Sequence, residues 1–159
     1  MKVLVVGGTG LIGGEIALHL QENGHAVTIM SRQPSKVPTL AQLPFLQGNY
    51  IEDDMADGRL QGFDWLVFAA AADIRNLPRD GSVTPEAFYT RANDEAVPRF
   101  FAAAKQAGIP LIVFLPDASP GWAVKFLARY ATTVACAVDA AVDEFPPGKA
   151  VVTGYPLRA

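Results

Sequence analysis

The chain has a single cysteine, Cys136, and only two histidines, His19 and His25. One cysteine makes no internal disulfide, so nothing here requires an oxidising compartment. His19 falls in a helical stretch and His25 opens a strand-like run, and the two with one thiol make no convincing metal site. The acidic stretch Asp53-Asp54 with Asp57 reads as a solvated loop, so no metal is expected. Basic residues are not in excess: 13 Lys and Arg face 16 Asp and Glu, for a net charge of −3. That speaks against nucleic acid or an anionic membrane as partner. No apolar run reaches the roughly 18 residues of a membrane helix. No basic segment with a small-residue cleavage site precedes the first strand, and a cytoplasmic protein is the expectation. Gly-Lys-Ser/Thr is absent after the glycine cluster, which excludes a phosphate loop of the NTPase kind.

What is present is an alternation of strands and helices in 159 residues that are 50% hydrophobic. That length suits one domain with a real core. Lys2–Gly7 is a continuous apolar run ending in glycine, as expected of a strand covered on both faces. Leu11 to Asn23 has helical spacing and stops at Gly24. Further strands are expected at Ala26–Met30, Pro44–Gln47, Asp64–Ala69, Leu111–Leu115 and Ala150–Thr153. Thr84-Pro85-Glu86 caps a helix running to about Ala107, with Pro98 as a kink or break. Residues 123–144 are alanine- and valine-rich and read as mostly helical. The pattern predicts an α/β fold: a doubly wound parallel sheet with helices on both faces and ligands at the carboxyl ends of its strands.

The sharpest motif is Gly7-Gly8-Thr9-Gly10-Leu11-Ile12-Gly13-Gly14, with glycines at 7, 10 and 13, between the first strand and the first helix. Gly7 permits the turn out of the strand, Gly10 admits a pyrophosphate against the backbone, and Gly13 lets the helix pack closely. The N–H groups at the helix start then meet the phosphates. The second strand ends in Met30-Ser31-Arg32, with Lys36 beyond and no carboxylate. Arg32 suits a 2′-phosphate, Ser31 can donate to it and Lys36 adds a charge, so NADP is expected over NAD.

These residues resemble the short-chain dehydrogenase/reductase superfamily in its extended or atypical branch, which holds epimerase/dehydratase and NmrA-like proteins. The glycine loop, Ser31-Arg32 with Lys36, the Gly48-Asn49 turn, Val67–Ala71 and Asn93 carry the resemblance, over about residues 1–115. The resemblance implies a Rossmann fold and a dinucleotide partner. It also implies contacts from Asn49 to adenine, from Ala69, Ala70 and Ala71 along the channel, and from Asn93 on the long helix. With Gly7, Gly8, Thr9, Gly10, Leu11, Ile12, Ser31, Arg32 and Lys36, these are the expected cofactor-binding residues. The branch leaves room for a homo-oligomer.

The catalytic residues of the superfamily are a serine ending the fifth strand and a Tyr-x-x-x-Lys on the next helix, where tyrosine moves a proton as hydride moves. Here Pro116-Asp117 follows the strand and Ser119 is out of register. Lys125 has Gly121 four residues before it, and Tyr130 has Val134 four after. Tyr89 and Tyr155 lie elsewhere, Asp117 has no visible partner, and the catalytic residues stay unknown. Phe126–Gly148 instead resembles a late family segment, with an aromatic-led strand, an alanine-rich helix at Ala135–Val142 and a Pro-Gly turn. One domain is therefore expected: a binding core at 1–115 and an atypical or shortened part at 116–159 lacking most of the substrate lobe. Three functions fit: an oxidoreductase of epimerase/dehydratase type using NADP with an unknown small-molecule substrate, a non-catalytic module that senses dinucleotide, and a truncated relative without function.

Overall fold

A computed structural model describes residues 1–154; Tyr155 lies outside the described residues. The chain divides into two compact units, Met1–Ile109 and Pro110 onward.

The first unit is built on a four-stranded sheet of β1 (Lys2–Val6), β2 (Ala26–Ser31), β3 (Phe45–Gln47) and β4 (Trp65–Phe68). The order is β3-β2-β1-β4 and every pair is parallel. β1 is central, and Val3 to Val6 are all at most 3% exposed, which is why this run shows no polar alternation. Val3, Val5, Val27 and Ile29 pack on Ala17 of α1 (Leu11–Glu22) and on Leu40 and Leu43 around the short α2 (Pro38–Ala41). Side chains alternate along a strand, so Phe68 points to the face opposite Val67. There it meets Phe100 and Phe101 of α4 (Val97–Gln106) at ring-centroid distances of 5.4 and 5.3 Å. Helices therefore cover both faces.

The helix expected from Thr84 to Ala107 is present in three pieces. Thr84 caps α3 (Pro85–Tyr89) by accepting from the Ala87 N–H. A π-helical stretch, Thr90–Ala96, follows and then α4. Pro98, in the first turn of α4, lacks the N–H an uninterrupted α-helix would use and its ring crowds the preceding turn; widening to π geometry just before it absorbs both. The expected break is thus a wide turn inside a continuous helical run.

The second unit holds β5 (Ile112–Leu115), α5 (Trp122–Leu127), β6 (Thr133–Cys136) and β7 (Ala150–Val152). They form a parallel sheet ordered β5-β6-β7. Leu115, Val134, Cys136, Ala141 and Ala150 make its core. The sequence expectation for residues 123–144 is corrected here. Only α5 is α-helical; Thr133–Cys136 is the central strand, and Asp139–Glu144 is a 3-10 turn. Phe126 lies in the helix, not at the head of a strand, and no α-helix spans Ala135–Val142. Alanine content reads as helix, but β-branched Val134 pairs with neighbouring strands on both sides and Thr133 with β5, and that pairing overrides the weak local preference.

Candidate functional site

The site begins where β1 ends. Gly7 adopts a φ of +80°, and a Cβ on it would stand 2.8 Å from the Ala70 backbone. Its N–H donates to the Met30 carbonyl at 2.8 Å, and its own carbonyl accepts from the Gly10 N–H at 2.9 Å. A Cβ on Gly13 would lie 2.3 Å from that same Gly7 carbonyl, so α1 starts in contact with the turn only because residue 13 is glycine. Gly10 caps α1 in extended geometry with no side-chain hydrogen bond, and the first turn carries no acid. The positive end of α1 thus keeps its N–H groups for a ligand.

At the end of β2, Ser31 Oγ donates to the Gln33 carbonyl at 3.1 Å and lies 2.7 Å from Thr9 Oγ1. With the serine proton so placed, Thr9 is the donor between them, tying the glycine turn to the second strand. Arg32 and Lys36 follow, both exposed, and neither has an ion-pair partner among the described residues. At the end of β3, the Gly48 N–H donates to the Ser31 carbonyl at 3.0 Å. The Asn49 N–H donates to Asp53 Oδ2 at 2.9 Å, and Asn49 Oδ1 accepts from the Ile51 N–H at 3.1 Å. Arg59 in turn holds Asp53 at 3.1 Å and Asp57 at 2.6 Å.

Beyond β4, Ala69 donates to the Val6 carbonyl at 2.9 Å, and the chain continues through Ala70, Ala71 and Ala72 to Asp73. Hydrogen bonds from the Arg75 guanidinium and backbone hold the Asp73 carboxyl down at about 2, with Arg32 adding a smaller pull. Arg91, from the π-helical stretch, pairs with Glu52 at 2.5 Å. These strand ends enclose a cleft of about 1000 Å³.

Of the residues expected to bind a cofactor, Gly7, Thr9, Gly10, Ser31, Arg32, Lys36, Asn49, Ala69, Ala70 and Ala71 all line this one cleft. Four others do not. Gly8 is buried, and a Cβ there would strike Ile29 at 2.6 Å. Leu11 and Ile12 are 86% and 70% exposed on the first turn of α1. Asn93 is exposed in the π-helical stretch. Sequence reasoning missed Tyr50 and the Glu52–Arg91 pair, which line the cleft; Asp73 lines it as well. Tyr50 is 7% exposed, packs edge-on against Phe68 at 5.1 Å, and its hydroxyl has no hydrogen-bond partner among the described residues. Its position directly after Gly48-Asn49 was the available signal.

In the second unit, Asp117 and Ser119 are exposed on the segment after β5. Lys125 pairs with Glu144 at 3.0 Å. The Tyr130 ring packs against Phe126 at 5.9 Å. No cluster of His, Cys, Asp and Glu able to hold a metal occurs among the described residues. No helix of the described residues is long and apolar enough to cross a membrane.

A family model described as NAD(P)H-binding matches residues 7–135. The chain is 36% identical over 85 residues to a 3β-hydroxysteroid dehydrogenase/Δ5→4-isomerase of Mycobacterium tuberculosis, covering 54% of this chain and 22% of that enzyme. It is 31% identical over 130 residues to a UDP-N-acetylglucosamine–N-acetylmuramyl-(pentapeptide) pyrophosphoryl-undecaprenol N-acetylglucosamine transferase of Synechococcus, covering 77% of this chain and 36% of that one. Among solved structures it resembles MoeE5 in complex with UDP-glucuronic acid and NAD, at 22% identity and a TM-score of 0.63, over 86% of this chain and 53% of that one. That identity speaks to a shared Rossmann-like fold. The chain thus spans about half the length of this structural neighbour and well under half of these curated relatives.

Proposed function

Since the chain belongs to the NAD(P)H-binding family, we propose that its large cleft holds a nicotinamide dinucleotide, with NADP favoured over NAD. In this reading the pyrophosphate lies against Gly7, Gly10 and the start of α1, where uncapped N–H groups and the helix dipole favour an anion. The 2′-phosphate meets Ser31, Arg32 and Lys36. The observation that carries the NADP preference is that both cations line the cleft without an ion-pair partner among the described residues, while β2 ends without a carboxylate. A carboxylate there would bind ribose hydroxyls and repel the phosphate. The fit extends to shape: side chains at Gly7 or Gly13 would collide with backbone at the turn that receives the phosphates.

The missing Tyr-x-x-x-Lys favours a module that binds dinucleotide without turning it over, as a sensor does. Lys125, the lysine nearest that register, is engaged with Glu144. A second reading, an oxidoreductase of epimerase/dehydratase type, rests on the redox activity named for the steroid dehydrogenase relative and the NAD in the MoeE5 structure.

Titration with NADPH and NADH, followed by nicotinamide fluorescence, tests the proposal. NADPH is expected to bind at micromolar concentration and at least about tenfold more tightly than NADH, a gap of about 1.4 kcal/mol. Arg32→Asp should abolish or reverse the preference. Equal affinities would remove the NADP reading, and binding of neither would remove the dinucleotide reading. Oxidation of bound NADPH in the presence of carbonyl compounds would favour the second reading over the sensor.

A further inference from the structure

A second hollow, of about 340 Å³, lies at the other end of the first unit's sheet. The carboxyl ends of β1 and β2 face the large cleft. Lys2, which opens β1, and His25 and Ala26, at the start of β2, line this hollow instead. β1 is five residues long, so about 16 Å of strand separates the two. No residue lines both.

The floor of the hollow is apolar. Val27 and Leu43 are 3% and 5% exposed, and Pro44 and Phe63 complete it. Three polar side chains line the same space: Lys2, Gln21 and His25. None of the three makes a side-chain hydrogen bond or ion pair among the described residues, and no described residue lining the hollow is acidic. The end of α1 does not compete for them. Its last carbonyls, those of His19, Leu20 and Gln21, already accept from the N–H groups of Asn23, His25 and Gly24 at 3.1, 3.1 and 2.9 Å. Asp64 accepts from the Lys2 backbone N–H at 2.7 Å and leaves the ammonium unpaired.

An apolar floor with a few convergent polar groups is the make-up of a small-molecule site. An ammonium, an amide and an imidazole can all donate to a carboxylate. The Asp64 carboxylate beside Lys2 counts against a phosphate dianion, whose two charges a single ammonium would not offset. We propose that this hollow is a second ligand site, which takes a small monocarboxylate carrying one hydrophobic ring. The ring packs on Val27, Leu43 and Phe63, and the carboxylate accepts from Lys2, Gln21 and His25. The site does not depend on the dinucleotide reading.

The test is a titration of the whole chain with benzoate, followed by the chemical shifts of its backbone amides. Benzoate is expected to move the amides of Gln21, His25 and Val27 with a dissociation constant of about 1 mM or tighter, within reach of so small a ligand. The amides of Gly7, Ser31 and Asn49, in the large cleft, should stay in place. Benzyl alcohol keeps the ring without the charge and should bind about threefold or more weakly. Lys2→Gln preserves the backbone bond to Asp64; it should weaken benzoate by about threefold and leave benzyl alcohol unchanged. Shifts centred on the large cleft, no shifts with benzoate at about ten times that concentration, equal binding of the alcohol, or benzoate binding unmoved in Lys2→Gln would each overturn the assignment. If Lys2→Gln does not fold, the comparison of acid with alcohol on the wild-type chain decides alone. NADPH added to the same sample reports on the cleft separately, so either site can fail without the other.

Discussion

At Tyr50 the chain buries a phenol hydroxyl that meets no hydrogen-bond partner among the described residues. A buried donor left unpaired costs about 1–3 kcal/mol, whereas phenylalanine would fill the same aromatic cluster at no such cost. Tyr50→Phe is therefore expected to leave the melting temperature unchanged or raise it; a loss of more than about 1 kcal/mol would mean the hydroxyl is bonded. Burial also pushes the Tyr50 phenol above its ordinary value near 10, and the nearby Arg32 charge opposes the rise. A raised value means that the folded chain holds this proton more tightly than the unfolded chain does. Its contribution to stability is intact below about pH 10 and is lost as pH climbs through the folded value. In an absorbance titration Tyr50 should ionise above the ordinary phenol value, and Tyr50→Phe should remove that late step. An early, uniform transition would overturn the burial argument. None of this is legible in the sequence, because the ring that packs against Tyr50 is Phe68, which follows it by eighteen positions and ends β4.

Among the elements, the turn from β1 into α1 is the most legible and the least tolerant. Its reading from sequence needed only a short apolar run and three glycines, and the observed β1 and α1 each end within one residue of the expected limits. Gly13→Ala sets a methyl 2.3 Å from the Gly7 carbonyl, a backbone atom that cannot rotate away. Overpacking of this kind costs about 1–3 kcal/mol, and because it displaces the phosphate-facing turn, NADPH affinity should fall with it. Chemical denaturation and the fluorescence titration check the two effects; an alanine variant of wild-type stability would show that α1 slides freely on the turn. β6 is the opposite case. Its Thr-Val-Ala-Cys run sits within alanine-rich sequence, and only the parallel pairing of Val134 with Val113 and Ala150 makes it a central strand. Local preference is worth tenths of a kcal/mol per residue, less than a buried strand gains from its neighbours.

For the whole molecule, the cleft draws all of its described residues from the first unit, between Val6 and Arg91. A ligand bound only by the folded state adds stability by mass action, about 2.7 kcal/mol at a hundred times its dissociation constant. NADPH should therefore raise the melting temperature in a concentration-dependent way, and an unmoved transition would contradict binding. Because Arg32 and Lys36 are exposed, the gap between NADPH and NADH should narrow in high salt, where the screening length falls to about 3 Å at 1 M. What the sequence determined by itself was set by local covalent rules: a parallel α/β chain, a glycine turn at its first strand end, two cations and no carboxylate at its second. Tertiary structure decided which of those residues share a cleft. It turned Leu11, Ile12 and Asn93 outward, buried Gly8 against Ile29, and joined Glu52 to Arg91 across 39 positions. The physical reason is that strand order and side-chain alternation, not sequence spacing, choose the neighbours of a residue once the sheet has formed.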